Sequence, residues 1–486
     1  MIKKIALLVL TTILLLAGII ITRTLFVRNA PKVSLGREKV EVPDAAAERL
    51  ASAVRIKTVS PGESGLFDSP AFNQFIGFLE EAFPLVHSSL SRQVVGGYSL
   101  LYRWPGKNPS LKPVLLLAHL DVVPVEPETQ SQWTYPPFDG AIADSFIWGR
   151  GTLDDKYSLL AILEACEMLL EKKYQPERSI YFAFGHDEEL DGNEGAGAIA
   201  RILQSEKKGF EFVLDEGMSI TQGIMPGVRK DIAFIGTSEK GYLSLELSVA
   251  AEGGHSSVPG KQSTIGILGG AVSRLEKHPL PARLDESVRQ MLNGLAPELP
   301  FFKKMVVSNL WLFKKMVIRL AAKDPLLDSL IRTTTAVTMF KAGIKDNVLA
   351  PEARAVVNFR ILPGETPESV VEHVKTVIHD DRVRIRIFEG ARAPSPLSRI
   401  DSEAYKYLSR TIAGLFPGVI ISPALTMAAT DAWHYTSLSP DVYRFMPIRF
   451  NTKDLKRIHG VNERISVDSF KECVNFYYGL MAHIYR

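Results

Sequence analysis

Three short, nearly uninterrupted apolar runs, at residues 113–119, 179–185 and 210–214, set the terms for the first half of the chain. Runs of this length and polarity suit parallel strands covered on both faces. Helical patterns fill the gaps. Residues 155–170 put Leu159, Ile162, Leu163 and Cys166 on one face, and residues 193–203 read as another helix. Strand and helix in alternation predict an α/β fold: a mixed sheet flanked by helices. In open sheets of this kind, sites form outside the carboxyl ends of the strands. His119, Glu188, Glu189 and Asp215 fall at or just after such ends, so groups distant in sequence can converge there.

The middle of the chain changes period. Residues 242–250 and 355–362 alternate with period two, as antiparallel strands with one open face do. Residues 239–392 therefore read as an inserted α+β domain, splitting the first domain into residues 44–238 and 393–486. Residues 284–335 are long, apolar and basic, with Phe301, Phe302, Trp311, Leu312 and Phe313. Two readings stand for that segment: a helical insertion packed on the inserted domain, or a surface for lipid.

A chain of 486 residues is long for one domain, in line with this division. Its 57 basic and 54 acidic residues nearly balance and form no basic block, which argues against nucleic acid as a partner. Two cysteines, Cys166 and Cys473, cannot build a disulfide framework. Residues 5–22 carry no charge and are flanked by Lys3, Lys4, Arg23 and Arg28. Residues 1–28 are expected to be an uncleaved membrane anchor, followed by a linker at 29–43. A cleaved signal peptide is the alternative, although no small-x-small cleavage site follows the run.

The candidate chemistry is metallic. His119, Asp154, Glu189, Asp215 and His459 offer two imidazoles and three carboxylates, a donor set suited to two zinc ions. Four positive charges against three carboxylates and one hydroxide give a neutral site. Asp121 lies two residues after His119 on an extended strand end, the same side, where it can fix the imidazole tautomer. Asp154 follows the glycine-rich turn Gly149-Arg150-Gly151, where a first-turn carboxylate and a bridging ligand are compatible readings. Glu188 beside Glu189 allows one carboxylate to bind metal and its neighbour to act as a general base. His255, in a Gly-Gly-His-Ser-Ser turn of the inserted domain, could donate to a developing oxyanion.

These motifs resemble the dinuclear zinc aminoacylase and carboxypeptidase family, metallopeptidase family 20. The likeness runs in order through HLDVVP, GRGTLDDK, HDEE, LDEG, GGHSS and RIHGVNE, and is strongest to the carboxypeptidase S and N-fatty-acyl-amino-acid hydrolase branch. It implies His119 and Asp215 on one zinc, Glu189 and His459 on the other, and Asp154 bridging. It assigns Glu188 as base and Asp121 as the orienting carboxylate. It further implies a lid role for the inserted domain and for His255, with substrate contacts from Asn347 and Arg360. Two Zn²⁺ per subunit are expected, with Mn²⁺ or Co²⁺ as substitutes. A homodimer through the lid is left open.

The activity so implied is hydrolysis of the amide bond in N-acyl amino acids or short peptides with a free carboxylate. The catalytic domain is expected outside the cytoplasm. A dipeptidase or carboxypeptidase of the same mechanism is the first rival, and a non-catalytic binding protein the second. One departure stands out. The family often has arginine after a Thr-Asp pair, but here Thr430-Asp431 is followed by Ala432 and Trp433. Tryptophan cannot pair a carboxylate bidentately as arginine does.

Overall fold

The computed structural model describes residues 1–27, 39–61, 67–225 and 227–484. Of the expected linker, residues 29–38 lie outside the described residues, as does Arg28 of the expected anchor. The architecture is α/β with a ten-stranded mixed sheet. At its centre Val114–His119 pairs in parallel with Ile180–Gly185 on one side and with Val213–Asp215 on the other. Every residue of these three strands is buried, which is why they read as continuous apolar runs.

The helix Lys156–Glu171 covers one face and is buried along almost its whole length. It packs against the final helix, Val467–Ala482. The core between helices and sheet includes Leu159, Ile162, Leu116, Phe182 and Phe476. A helix buried nearly all round belongs between layers, and the sandwich of sheet and final helix gives it that place.

A second sheet of four antiparallel strands runs in the order Thr334–Ala342, Glu352–Ile361, Gly241–Ala250 and Arg384–Ile387. Leu243, Leu245, Leu247 and Val249 point into its core, where the helices Thr264–Lys277 and Pro367–Ile378 cover them. Thr366 starts the second of these helices with a capping box: its hydroxyl accepts from Ser369 N, and the Ser369 hydroxyl accepts from Thr366 N. Thr334–Ala342 is an edge strand, and Met339 and Phe340 are exposed on it.

The segment from 284 to 335 forms the helices Glu286–Leu295, Phe301–Ser308, Leu310–Ala321 and Pro325–Ile331. They do not pack mainly on the four-stranded sheet. Val288, Met291 and Leu295 join Ile232, Phe234 and Leu425 in one core cluster, on strands of the ten-stranded sheet. The strand Ile232–Glu239 is buried throughout and needs cover on that side, which the insertion supplies.

Near the N-terminus, Ile2–Leu25 is a single helix of 24 residues with a mean hydropathy of 2.8 over its most apolar window. That is long and apolar enough to cross a membrane.

Candidate metal centre

Parallel strands bring their carboxyl ends to one edge, and the chemistry collects there. His119 is the last residue of its strand and sits opposite Gly185. Past Gly185 the chain turns through a short 3₁₀ segment, Glu188–Leu190, which presents two carboxylates. Asp154 arrives from the turn before the Lys156–Glu171 helix, and His459 from the loop before the last strand.

Asp154 is the hub. Its Oδ1 lies 2.9 Å from His119 Nε2 and its Oδ2 lies 3.0 Å from His459 Nε2. One carboxylate thus spans two imidazoles that are 340 positions apart (459 minus 119). Glu189 Oε1 is 3.3 Å from His459 Nε2. Glu188 and Glu189 each offer an oxygen within 4.8 Å of His119 and of one another.

Asp121 is fully buried and works on both sides of the cluster. His119 Nδ1 faces its backbone oxygen at 3.1 Å and its carboxylate at 3.3 Å. The same carboxylate accepts from the backbone N of Glu188 and of Glu189, both at 3.2 Å, and from the Ser60 hydroxyl at 2.5 Å. Asp121 therefore aims the imidazole, leaves Nε2 for a ligand, and pins the turn that carries the two glutamates.

One expected ligand is corrected. Asp215 does not enter the cluster; Glu216 does, with Oε1 3.6 Å from His119 Nε2. Asp215 shares a face with Val213, two residues back, and that face packs under Ala432 and Tyr435. There its Oδ2 accepts from Ala432 N at 2.6 Å, so it holds the Asp431–Tyr435 turn instead. The strand ends at Asp215, and the next residue is free to turn toward His119.

Sequence reasoning also missed the frame. Glu463 is fully buried and accepts from Gly151 N at 2.9 Å, Leu153 N at 2.8 Å and Arg150 Nη1 at 2.5 Å. Arg150 Nη2 in turn donates to the His459 carbonyl at 3.1 Å. The loop of Asp154 and the loop of His459 are thereby tied together. His459 itself has a φ of 58°, a left-handed conformation that a non-glycine residue keeps only when its surroundings enforce it. The signal was present as the final Glu of the RIHGVNE motif, but a buried structural carboxylate has no pattern of its own.

The remaining expected residues lie elsewhere. His255 is exposed on the two-residue strand Gly254–His255, paired with Val348, and its Nδ1 bonds to Ser257 Oγ at 2.7 Å. Asn347 is exposed beside it, its carbonyl accepting from Ser256 N. Arg360 stacks on Tyr242 at 4.9 Å from the ring centroid. Burial, with help from the like charge of Arg392, lowers the Arg360 pKa from the usual guanidinium value. Arg392 was not foreseen. It lies 5.9 Å from the Trp433 ring centroid, and its buried Nε has no hydrogen-bond partner. Trp433 Nε1 donates to Ala393 O at 3.0 Å, so the tryptophan braces the segment that carries this arginine. That segment runs close to the glutamate turn: a Cβ at Gly390 would come within 2.9 Å of Asp191 Oδ2.

The electrostatics call for cations. Among the described residues, the ion-pair partners of Asp154, Glu189 and Glu216 are the two imidazoles alone. Burial and then the charge of Asp154 push Glu216 up to about 7. Burial pushes Glu188 well above the usual glutamate range. Hydrogen bonds donated to Asp154 and Glu189 raise His459 to about 10. At His119 burial opposes a charge, but Asp121, Asp154 and Glu216 outweigh it and pull the pKa up. Glu189 Oε1 is buried, and the cation that faces it is His459 Nε2 at 3.3 Å. Four carboxylates and two imidazoles packed without a lysine or arginine partner fit divalent metal ions.

Such a donor set, at the carboxyl edge of a mixed sheet and with a separate antiparallel unit inserted, is that of a metal-dependent hydrolase. The chain belongs to peptidase family M20/M25/M40, whose sequence profile matches residues 115–483. It is 45% identical over 441 residues to a probable carboxypeptidase S-like 2 of Dictyostelium discoideum, covering 90% of this chain and 84% of that one. It is 43% identical over 442 residues to the human N-fatty-acyl-amino acid synthase/hydrolase PM20D1, covering 90% and 87%. In fold it resembles the M20 family metallo-carboxypeptidase Sso-CP2 from Sulfolobus solfataricus, with a TM-score of 0.66 at 18% identity, covering 90% of this chain and 99% of that one.

Proposed function

We propose that this hydrolase cleaves the amide bond of N-acyl amino acids, long acyl chains included, with two Zn²⁺ per subunit. The observation that carries the reading is the Asp154 carboxylate spanning His119 and His459. His119, Glu216 and Asp154 would hold one ion; Glu189, His459 and Asp154 the other. When bound, the ions polarise the amide carbonyl and acidify a water; Mn²⁺ or Co²⁺ can supply the same chemistry. Glu188, raised by burial, takes the water's proton and returns it to the leaving nitrogen. Asp121 keeps His119 in its ligating tautomer. His255 donates to the oxyanion after the inserted unit closes, or from a second subunit joined through the exposed Thr334–Ala342 edge.

Recognition of the substrate carboxylate falls to Arg360 and Arg392. Arg360, lowered by burial and by the charge of Arg392, and Arg392, with an idle buried Nε, suit a carboxylate ligand. This answers the tryptophan at 433: the cation comes from the facing segment. The similarity to a carboxypeptidase S-like protein favours a second reading, in which short peptides are the substrates. Ile2–Leu25 would anchor the protein, with the hydrolase outside the cytoplasm.

The test is turnover of a long-chain N-acyl amino acid against a dipeptide by zinc-loaded enzyme and its Glu188→Gln variant. Preference for the acyl substrate, lost in the variant, supports the proposal. Preference for the dipeptide selects the second reading, and no turnover of either rejects both.

A further inference from the structure

The apolar N-terminal helix and the helical insertion meet at one point. Asn309, fully buried where Phe301–Ser308 joins Leu310–Ala321, donates from Nδ2 to the Ile20 carbonyl and to the Thr24 hydroxyl, both at 3.3 Å. Leu16, Ile20 and Thr24, four residues apart, are the positions that the body of the protein covers, while Leu7, Leu8, Leu14 and Leu15 are exposed. The uncharged run ends at residue 22. At about 1.5 Å per residue its length is about 27 Å, close to the hydrocarbon thickness of a bilayer. Asn309 therefore sits level with the end of the span, at headgroup depth.

The outer face of the insertion suits that depth. No residue of Leu310–Ala321 is buried. Leu312, Met316 and Leu320 form an exposed stripe at four-residue spacing, with Trp311 beside it. Phe301 and Phe302 are exposed on the preceding helix, Phe302 at 76%. Residues 301–323 hold six lysines and arginines and no acid. Packing on the protein accounts for the inner side only, through Leu310, Val317 and Ile318. An apolar stripe with a tryptophan, flanked by cations alone, is how a helix lies in an anionic interface.

We propose that the helices Phe301–Ser308 and Leu310–Ala321 form a second membrane contact, lying in the headgroup layer of an anionic bilayer beside the anchor. The inference rests on the anchor reading above. It holds the hydrolase against the leaflet into which amphiphilic acyl amino acids partition.

The test uses the full chain in vesicles, with one spin label at a time. Cys166 and Cys473 are buried and stay unlabelled. Labels go on Phe302→Cys, on Val9→Cys in the anchor, and on Glu403→Cys, an exposed position on the large domain. Collision with oxygen reports lipid; collision with a nickel chelate reports water. In vesicles of phosphatidylcholine and phosphatidylserine the oxygen-to-nickel ratio at Phe302 should exceed that at Glu403 several-fold and approach that at Val9. It should fall when phosphatidylserine is omitted, and an unchanged ratio would contradict the role given to the cations. A Phe302 label that behaves like Glu403, or that neither reagent reaches because a second copy covers it, overturns the inference while a lipid-buried Val9 leaves the anchor standing. A water-exposed Val9 removes the anchor reading and this inference with it.

Discussion

At the edge of the large sheet, Asp154 touches two imidazoles, and a buried Glu463–Arg150 pair ties their loops together. At the tip of the inserted unit, His255 and Asn347 stand exposed on a ribbon of two short strands. The first region is assembled within one chain and held by buried, charge-assisted hydrogen bonds, each contributing about 1.5–3 kcal/mol. The second has nothing to act on where it lies. Under the proposed function, the metal ligands are assembled in advance, and His255 as oxyanion donor would be delivered by motion or by association. The lesson of that proposal is that a residue's distance from the site in a single chain need not measure its part in the reaction.

The contrast can be broken most decisively at the glutamates. Glu188→Gln should keep its metal and lose about 10²–10⁴ in kcat, the usual worth of general acid–base catalysis. Glu189→Gln should lose metal as well. Equal metal loss in both, measured by elemental analysis, would mean that base and ligand have been exchanged.

His255→Ala should lower kcat by about 10²–10³, the cost of one oxyanion donor, with full metal content. Mixing it with Glu188→Ala sharpens the point. Recovered activity places His255 across a subunit interface, and none in a proven mixed dimer places it in a closing lid. A His255→Ala enzyme of normal turnover would dissolve the contrast.

Glu463→Gln should weaken metal binding by about 10–100-fold, since it touches the ligand loops and no ion. Isothermal titration with zinc reads this directly. Unchanged affinity in a folded variant would show that the two loops need no tie.

The smallest effect is on pH. Glu216 at about 7 and His459 at about 10 hold protons that a metal must displace. Between pH 8 and 6 His459 stays protonated in the metal-free chain and Glu216 takes up its proton; metal must displace both, so zinc affinity should fall as the pH drops. Proton release on binding, measured in buffers of different ionisation enthalpy, checks the sign. Affinity that rises on acidification would contradict the burial argument.

The mixed sheet was legible because buried strands and amphipathic helices have different periods, and 113–119 and 179–185 showed theirs without ambiguity. The convergence of His119, Asp154, Glu189 and His459 followed from the strand-end rule and the family likeness. Asp215 against Glu216 was not legible. Both are acids at a strand end, and their separation depends on which face Val213 uses and on the Asp431–Tyr435 turn beyond it. Glu463, Arg150 and Arg392 were missed because buried pairs and facing cations are properties of three-dimensional neighbours. The insertion was read as apolar and helical, but its partner, the fully buried Ile232–Glu239 strand, could not be named from local pattern.

The central claim is that one carboxylate, Asp154, joins two metal positions, with Glu216 as the outer ligand on the His119 side. A crystal structure of the zinc-loaded protein, with anomalous scattering at the zinc edge, tests it most directly. The account predicts two peaks about 3.5–4 Å apart on either side of Asp154, Glu216 on the one shared with His119, and Asp215 still bonded to Ala432. A single peak, or Asp215 on the metal with Glu216 turned away, would contradict it.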